Sequence, residues 1–162
     1  MLGAMSGIPA WRRVGRPLPP PVGGPIGALS SGIQALFVGK LHFALMQLLL
    51  VADSVWVRND VAAALPSSDW SIHHAEPHLV VEAAVKHPPT AIVVDMQVGS
   101  MGGMAVIRRL REAMSMGILP TAPLILLLDR TADRFIAKRS GADRSMVKPF
   151  TAQEMHKVLA FS

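Results

Sequence analysis

The sequence predicts a doubly wound α/β domain over residues 46–162, a three-layer sandwich. In it a five-stranded parallel sheet of order 2-1-3-4-5 lies between two layers of helices. Three observations carry this. Apolar runs of strand length alternate five times with segments whose apolar residues recur at helical spacing. The runs are nearly continuous in apolar residues, which is the pattern of strands covered on both faces. The connections are short, and right-handed crossovers leave few strand orders for a domain of this size.

The elements follow in order. Met46-Gln47-Leu48-Leu49-Leu50-Val51-Ala52-Asp53 is an apolar strand ending on an acid, and Val57, Val61, Ala64 and Leu65 then recur at helical spacing. Trp70-Ser71-Ile72-His73-His74 reads as a short second strand. Val80, Val81, Ala84 and Val85 mark a helix that must stop at His87-Pro88-Pro89, because proline disfavours helical geometry in the residue before it. Ala91-Ile92-Val93-Val94-Asp95 is the third strand, again delivering a carboxylate to its end, and Ile107, Leu110 and Met114 form the stripe of the next helix, with Arg108, Arg109 and Arg111 as its solvated face. Leu124 to Leu128 is the fourth strand. Thr131 is a candidate N-cap for a helix over residues 132–140, with Gly141 placed to end it. Ser145-Met146-Val147 is a short fifth strand, and Thr151-Ala152-Gln153-Glu154 matches a capping box ahead of the apolar residues Met155, Val158 and Leu159.

Composition bounds the remainder. At 162 residues and 51% hydrophobic content the chain can bury a sizeable core, and the absence of cysteine excludes disulfides and thiolate metal sites and fits a reducing cytoplasm. The net charge of +5 would raise nucleic acid as a partner, but residues 1–45 hold Arg12, Arg13, Arg16 and Lys40 with no acid, which leaves residues 46–162 at only +1. Any nucleic-acid reading therefore rests on that extension and not on the domain. The extension carries 6 of the 13 prolines and 8 of the 13 glycines, so it is expected to be disordered. Pro17 to Pro21 could sit in a partner groove as a polyproline ligand. Met46 opens a complete domain, so an alternative is that the natural start is Met46. The apolar stretch from Ala35 to Ala52 is broken by Lys40, His42 and Gln47 and supplies a core strand, which argues against a membrane helix.

In the predicted strand order, the carboxyl ends of strands 1 and 3 flank the topological switch point, so Asp53 and Asp95 meet in one crevice. Two converging carboxylates suit a hard divalent cation such as Mg²⁺; alternatively each simply caps the helix that follows it. Lys148-Pro149-Phe150, directly after the fifth strand, adds an ammonium to the same crevice. Acid, acid and lysine at three strand ends make a phosphoryl site. His73, His74 and His78 raise zinc, but no fourth ligand is apparent and a solvated edge of the sheet is the favoured reading. Trp56 could border the crevice. The loop from Gly99 to Gly103 lacks the Lys-Ser/Thr of a phosphate cradle and is expected to give the segment after Asp95 freedom to admit a donor. The segment Ala52-Asp53-Ser54-Val55-Trp56-Val57 is not a flavin phosphate loop, which argues against a cofactor enzyme.

In residues 46–162, Leu-Leu-Leu-Val-Ala-Asp53-Ser, Val-Val-Asp95 with Met101-Gly-Gly-Met104 after it, Gly141-Ala-Asp and Lys148-Pro-Phe occur in this order and spacing. Together they resemble the receiver domain of bacterial two-component response regulators, which has a CheY-like, flavodoxin-like fold. The resemblance implies that Asp95 is the phosphoacceptor for a histidine kinase or phosphotransfer protein. It implies that Asp53, Asp95 and the backbone carbonyl of Gln97 hold Mg²⁺, that Lys148 pairs with the phosphoryl oxygens, and that the Lys148–Pro149 bond is cis. It further implies signalling by protein contact, with the face of the fourth helix, fifth strand and fifth helix as dimer or partner surface, and no enzymatic activity.

Three departures bear on activity. Ala52 stands where the family usually has a second acid, so Mg²⁺ affinity is expected to be weak. Leu128 replaces the hydroxyl that usually meets the phosphoryl group, and Ser145 replaces the aromatic that usually reports the switch. One hydrogen bond to a charged partner is worth about 1.5–3 kcal/mol, whereas moving a two-state equilibrium from mostly off to mostly on takes about 5.5 kcal/mol. Beside Leu128, Asp129 brings a carboxylate that would repel phosphate unless Arg130 offsets it or it points to solvent. The alternative reading is a degenerate receiver that docks partners independently of phosphorylation.

Overall fold

The structure, a computed structural model, describes residues 45–99 and 101–160. The expected disorder of residues 1–45, the polyproline segment and the choice of start all fall outside the described residues, apart from Leu45.

The elements are β1 (Met46–Val51), α1 (Val55–Ala64), β2 (Trp70–His74), α2 (Val80–Lys86), β3 (Ala91–Asp95), α3 (Gly103–Ser115), β4 (Leu124–Leu128), α4 (Arg134–Ser140), β5 (Arg144–Val147) and α5 (Ala152–Leu159). Single 3₁₀ turns, Pro77–Leu79 and Thr131–Asp133, lead into α2 and α4. The strands form one parallel sheet in the order β2-β1-β3-β4-β5, as expected.

Successive strand residues point to opposite faces, and both faces are covered. Leu48, Leu50, Val93, Ile125 and Leu127 pack against α1 and α5. Leu49, Val51, Val94, Leu126 and Leu128 pack against α2, α3 and α4. This is why the central strands do not alternate in polarity: β3 and β4 are buried at every position, whereas the edge strand β2 alternates over Trp70-Ser71-Ile72-His73. Each fully buried leucine side chain contributes about 1.5–3 kcal/mol relative to exposure.

The punctuation follows the chain's local chemistry, with two differences. The capping box of α5 is complete: the Thr151 hydroxyl accepts from the Glu154 N–H at 3.2 Å, and the Glu154 carboxylate accepts from the Thr151 N–H at 2.8 Å. Gly141 ends α4 in the left-handed conformation, with φ of 91°. Thr131, by contrast, caps no α-helix. The chain makes a 3₁₀ turn there first, and α4 begins only at Arg134. Arg108 and Arg109 are exposed as expected, but Arg111 is only partly exposed. Its guanidinium pairs with Asp143 at 2.5 Å and donates to the Gly141 carbonyl at 2.8 Å, tying α3 to the turn after α4. The second oxygen of Asp143 accepts from the Leu124 N–H at 2.7 Å, so the Gly141-Ala-Asp segment also fixes the start of β4.

This frame sets the site. Val51 pairs with Val94, Asp95 with Leu127 and Leu128 with Val147, so residues 53, 95, 129 and 148 leave the sheet at its carboxyl edge.

Candidate functional site

Asp95 ends β3 with only 1% of its surface exposed. A buried carboxylate needs a countercharge and hydrogen bonds. Lys148, the first residue past β5, supplies the charge: its Nζ lies 2.6 Å from Asp95 Oδ1. The Lys148 backbone N–H donates to the Leu128 carbonyl at 2.8 Å, which extends the ladder by one residue and aims the side chain back across β4. The Lys148–Pro149 bond is cis, as the resemblance implied. The Gln97 N–H donates to the same carboxylate oxygen at 3.4 Å.

Lys148 has a second partner. Asp129, directly past β4, places its Oδ1 3.0 Å from Nζ, so the ammonium sits between two carboxylates. Asp129 does bring a carboxylate to the site, and neither of the two ways expected to relieve it is found. It does not turn to solvent, and among the described residues Arg130 forms no ion pair with it. Burial alone would push the Lys148 ammonium toward its neutral form; its hydrogen bonds to the Asp95 and Asp129 carboxylates, and their negative charge, outweigh burial and raise its pKa above 10.5. The register offered the signal for this contact, since residue 129 leaves β4 next to where 148 leaves β5.

Asp53 is exposed two residues past β1, and its Oδ2 accepts a hydrogen bond from the Gly99 N–H. It lines a cavity of about 320 Å³ together with Ala52, Arg58, His74, Ala75 and Glu76. Asp95 is not part of that lining, although it stands at the end of the strand next to β1; carboxylates at neighbouring strand ends are hard oxygen donors of the kind that suits a divalent cation keeping part of its water shell. Among the described residues no group of three or more His, Cys, Asp or Glu side chains could hold a metal ion, so the zinc alternative for the three histidines finds no site there. His73 instead hydrogen-bonds Gln47 at 2.8 Å and stacks on His87 with ring centroids 4.4 Å apart.

His74 has a pKa below the usual 6.5, through burial first and then the charges of Arg58 and His73. A histidine depressed in the folded state favours folding above its unfolded pKa, and that contribution fades as pH falls through the folded value. His74→Gln is therefore expected to lose less stability than wild type between pH 6.5 and 5 in urea denaturation; identical pH profiles would contradict it.

The remaining expectations divide. Leu128 is fully buried among apolar side chains, and Ser145 is partly exposed on β5 opposite Leu126. Trp56 is 80% exposed and does not line the cavity. The glycine-rich loop is not a source of freedom at its C-terminal end. Gly103 opens α3 packed against the end of β3, where a Cβ would fall against the Asp95 carbonyl oxygen and 2.9 Å from the Met96 Cα.

No family model matches the chain. Among curated proteins it is 30% identical over 113 residues to the transcriptional regulatory protein TrcR of Mycobacterium tuberculosis, an alignment covering 68% of this chain and 42% of TrcR. The chain spans less than half the length of the curated relatives it matches. The chemotaxis response regulator CheY4 of Vibrio cholerae superposes with a TM-score of 0.62 at 23% identity, over 72% of this chain and 97% of that one. The receiver domain of sensor histidine kinase PA1611 from Pseudomonas aeruginosa, described with a magnesium ion in its active-site cleft, gives 0.60 at 22% identity, over 72% and 95%. The fold is that of response-regulator receiver domains. Asp53 and Asp95 stand at the carboxyl ends of the neighbouring strands β1 and β3, at the switch point of this fold. Lys148 reaches Asp95 from β5, and Asp129 reaches Lys148 from β4. Among the described residues no helix is long and apolar enough to cross a membrane.

Proposed function

We propose that residues 46–162 act as a phosphoacceptor module in phosphorelay signalling, with Asp95 as the accepting carboxylate. The donor is a phosphohistidine on a kinase or phosphotransfer protein. The observation that carries this is the buried Asp95 carboxylate held at 2.6 Å by Lys148 at the carboxyl edge of the sheet. Lys148 and the Gln97 N–H both engage Oδ1, so Oδ2 is the oxygen for attack. It forms the new O–P bond as the P–N bond to the imidazole breaks, and the imidazole leaves with the bonding pair and is protonated. The difficulty is charge, because a carboxylate approaches an anionic phosphoryl group. Lys148 offsets part of that charge. Mg²⁺, held by Asp53, Asp95 and the Gln97 carbonyl, would supply the rest, with affinity lowered by Ala52. Output is by protein contact over the face of α4, β5 and α5, in the cytoplasm, with no chemistry beyond the phosphoryl transfer itself.

Incubation with acetyl phosphate and Mg²⁺ is expected to add one phosphate by intact mass, and Asp95→Asn to abolish it. A second reading, docking without phosphorylation, draws on Leu128 and Ser145, which remove both usual parts of the conformational read-out. If acetyl phosphate and beryllofluoride both leave the protein unchanged at millimolar Mg²⁺, that second reading replaces the first.

A further inference from the structure

We infer that Asp129 is an internal competitor for Lys148 that holds down phosphorylation of Asp95. This rests on Asp95 being the phosphoacceptor. The ammonium has three N–H donors, and in this site two are committed to carboxylates, Asp95 at 2.6 Å and Asp129 at 3.0 Å. A phosphoryl group added to Asp95 must recruit the same ammonium, because Lys148 is the cation paired with Asp95. Asp129 then works against the phosphorylated state twice. It keeps one N–H occupied, and it sets a fixed negative charge beside the nitrogen that the phosphoryl oxygens approach.

Asp129 is not placed there by burial. Its side chain is 33% exposed, so it could be solvated by water without Lys148, whereas Asp95 is 1% exposed and depends on the lysine. Asp95 alone already balances the ammonium. The second carboxylate is thus surplus to neutralising this buried charge, and it can turn outward when a stronger anion arrives. That makes Asp129 an adjustable brake, not a block. The neighbouring Leu128 offers no hydroxyl as an alternative partner for the phosphoryl group, so Lys148 is the donor that Asp129 most directly withholds.

The test compares wild type with Asp129→Asn and Asp129→Ala by acetyl phosphate labelling, beryllofluoride affinity at fixed Mg²⁺, and Mg²⁺ affinity by isothermal titration calorimetry. Loss of one charge-assisted hydrogen bond sets the scale. Both variants are expected to label about tenfold faster and to bind beryllofluoride about tenfold more tightly, with Mg²⁺ affinity changed by less than about twofold. Unchanged or weaker beryllofluoride binding in both variants would mean that Asp129 only positions Lys148, and would overturn the inference. A tenfold loss of Mg²⁺ affinity would overturn it differently, by making Asp129 a cation ligand. If wild type and variants alike take neither acetyl phosphate nor beryllofluoride, the phosphoacceptor reading itself fails and the inference goes with it.

Discussion

Replacing Gly103 with alanine is expected to destabilise the domain by about 2 kcal/mol and to lower phosphate incorporation at Asp95. An added Cβ would meet three backbone atoms: the Asp95 carbonyl oxygen, the Met96 Cα at 2.9 Å and the Asp95 carbonyl carbon at 3.0 Å. No flexible side chain can yield there, so either α3 or the end of β3 must move. Overpacking of this kind costs about 1–3 kcal/mol, and the upper end applies where the neighbours are backbone. Alanine's better helix propensity returns about 1 kcal/mol. The clash wins, and its relief displaces Asp95, the proposed acceptor. Gly117→Ala is the useful contrast: with φ of 72° and nothing within 4 Å it incurs only local strain, about 1–2 kcal/mol, far from the crevice. Urea denaturation gives the stabilities, and acetyl phosphate labelling separates the two variants. Full labelling of Gly103→Ala would show that α3 and not Asp95 gives way.

The sheet was legible because burial on both faces forces continuous apolar strands, and five such runs with helical stripes between them admit few topologies. Strand order 2-1-3-4-5, the positions of Asp53, Asp95 and Lys148 at one edge, and the capping box at Thr151 all follow from local patterns. Thr131 did not cap a helix because a 3₁₀ turn intervenes, and nothing in the composition of that segment distinguishes the two. Gly103 departs from expectation for a different reason. A glycine needed for close approach and a glycine needed for freedom look the same until the neighbouring backbone is placed. Asp129 required the register between β4 and β5, a tertiary fact, to find its partner. From sequence alone a carboxylate beside the proposed phosphoryl site implies repulsion; in the structure its contact is with the lysine. Site charge is thereby redistributed: one acid fewer beside Asp53, where Ala52 stands, and one more beside Lys148.

Lys148→Ala is expected to cost about 3 kcal/mol of stability, more than Asp95→Asn costs. Removing one partner of a buried ion pair strands the other, which typically costs about 3–5 kcal/mol. Asp95 is 1% exposed and fully stranded, but the Lys148 side chain is 18% exposed, so water entering the vacated space places the cost near the lower end. Asp95→Asn leaves a neutral amide that needs no countercharge, and it leaves Lys148 still paired with Asp129, so its cost is smaller. The order of the two variants thus depends on Asp95 being an ionised, buried carboxylate. Equal stabilities of Lys148→Ala and wild type in urea denaturation would show that water already solvates that carboxylate. pH gives an independent check. Since the folded pKa of Lys148 lies above 10.5, the contribution of the pair is complete below that value and is lost as pH rises through the folded pKa. The stability gap between wild type and Lys148→Ala should be flat up to pH 10.5 and close above it. A gap that instead closes on acidification alone would assign the contribution to a carboxylate and not to the ammonium.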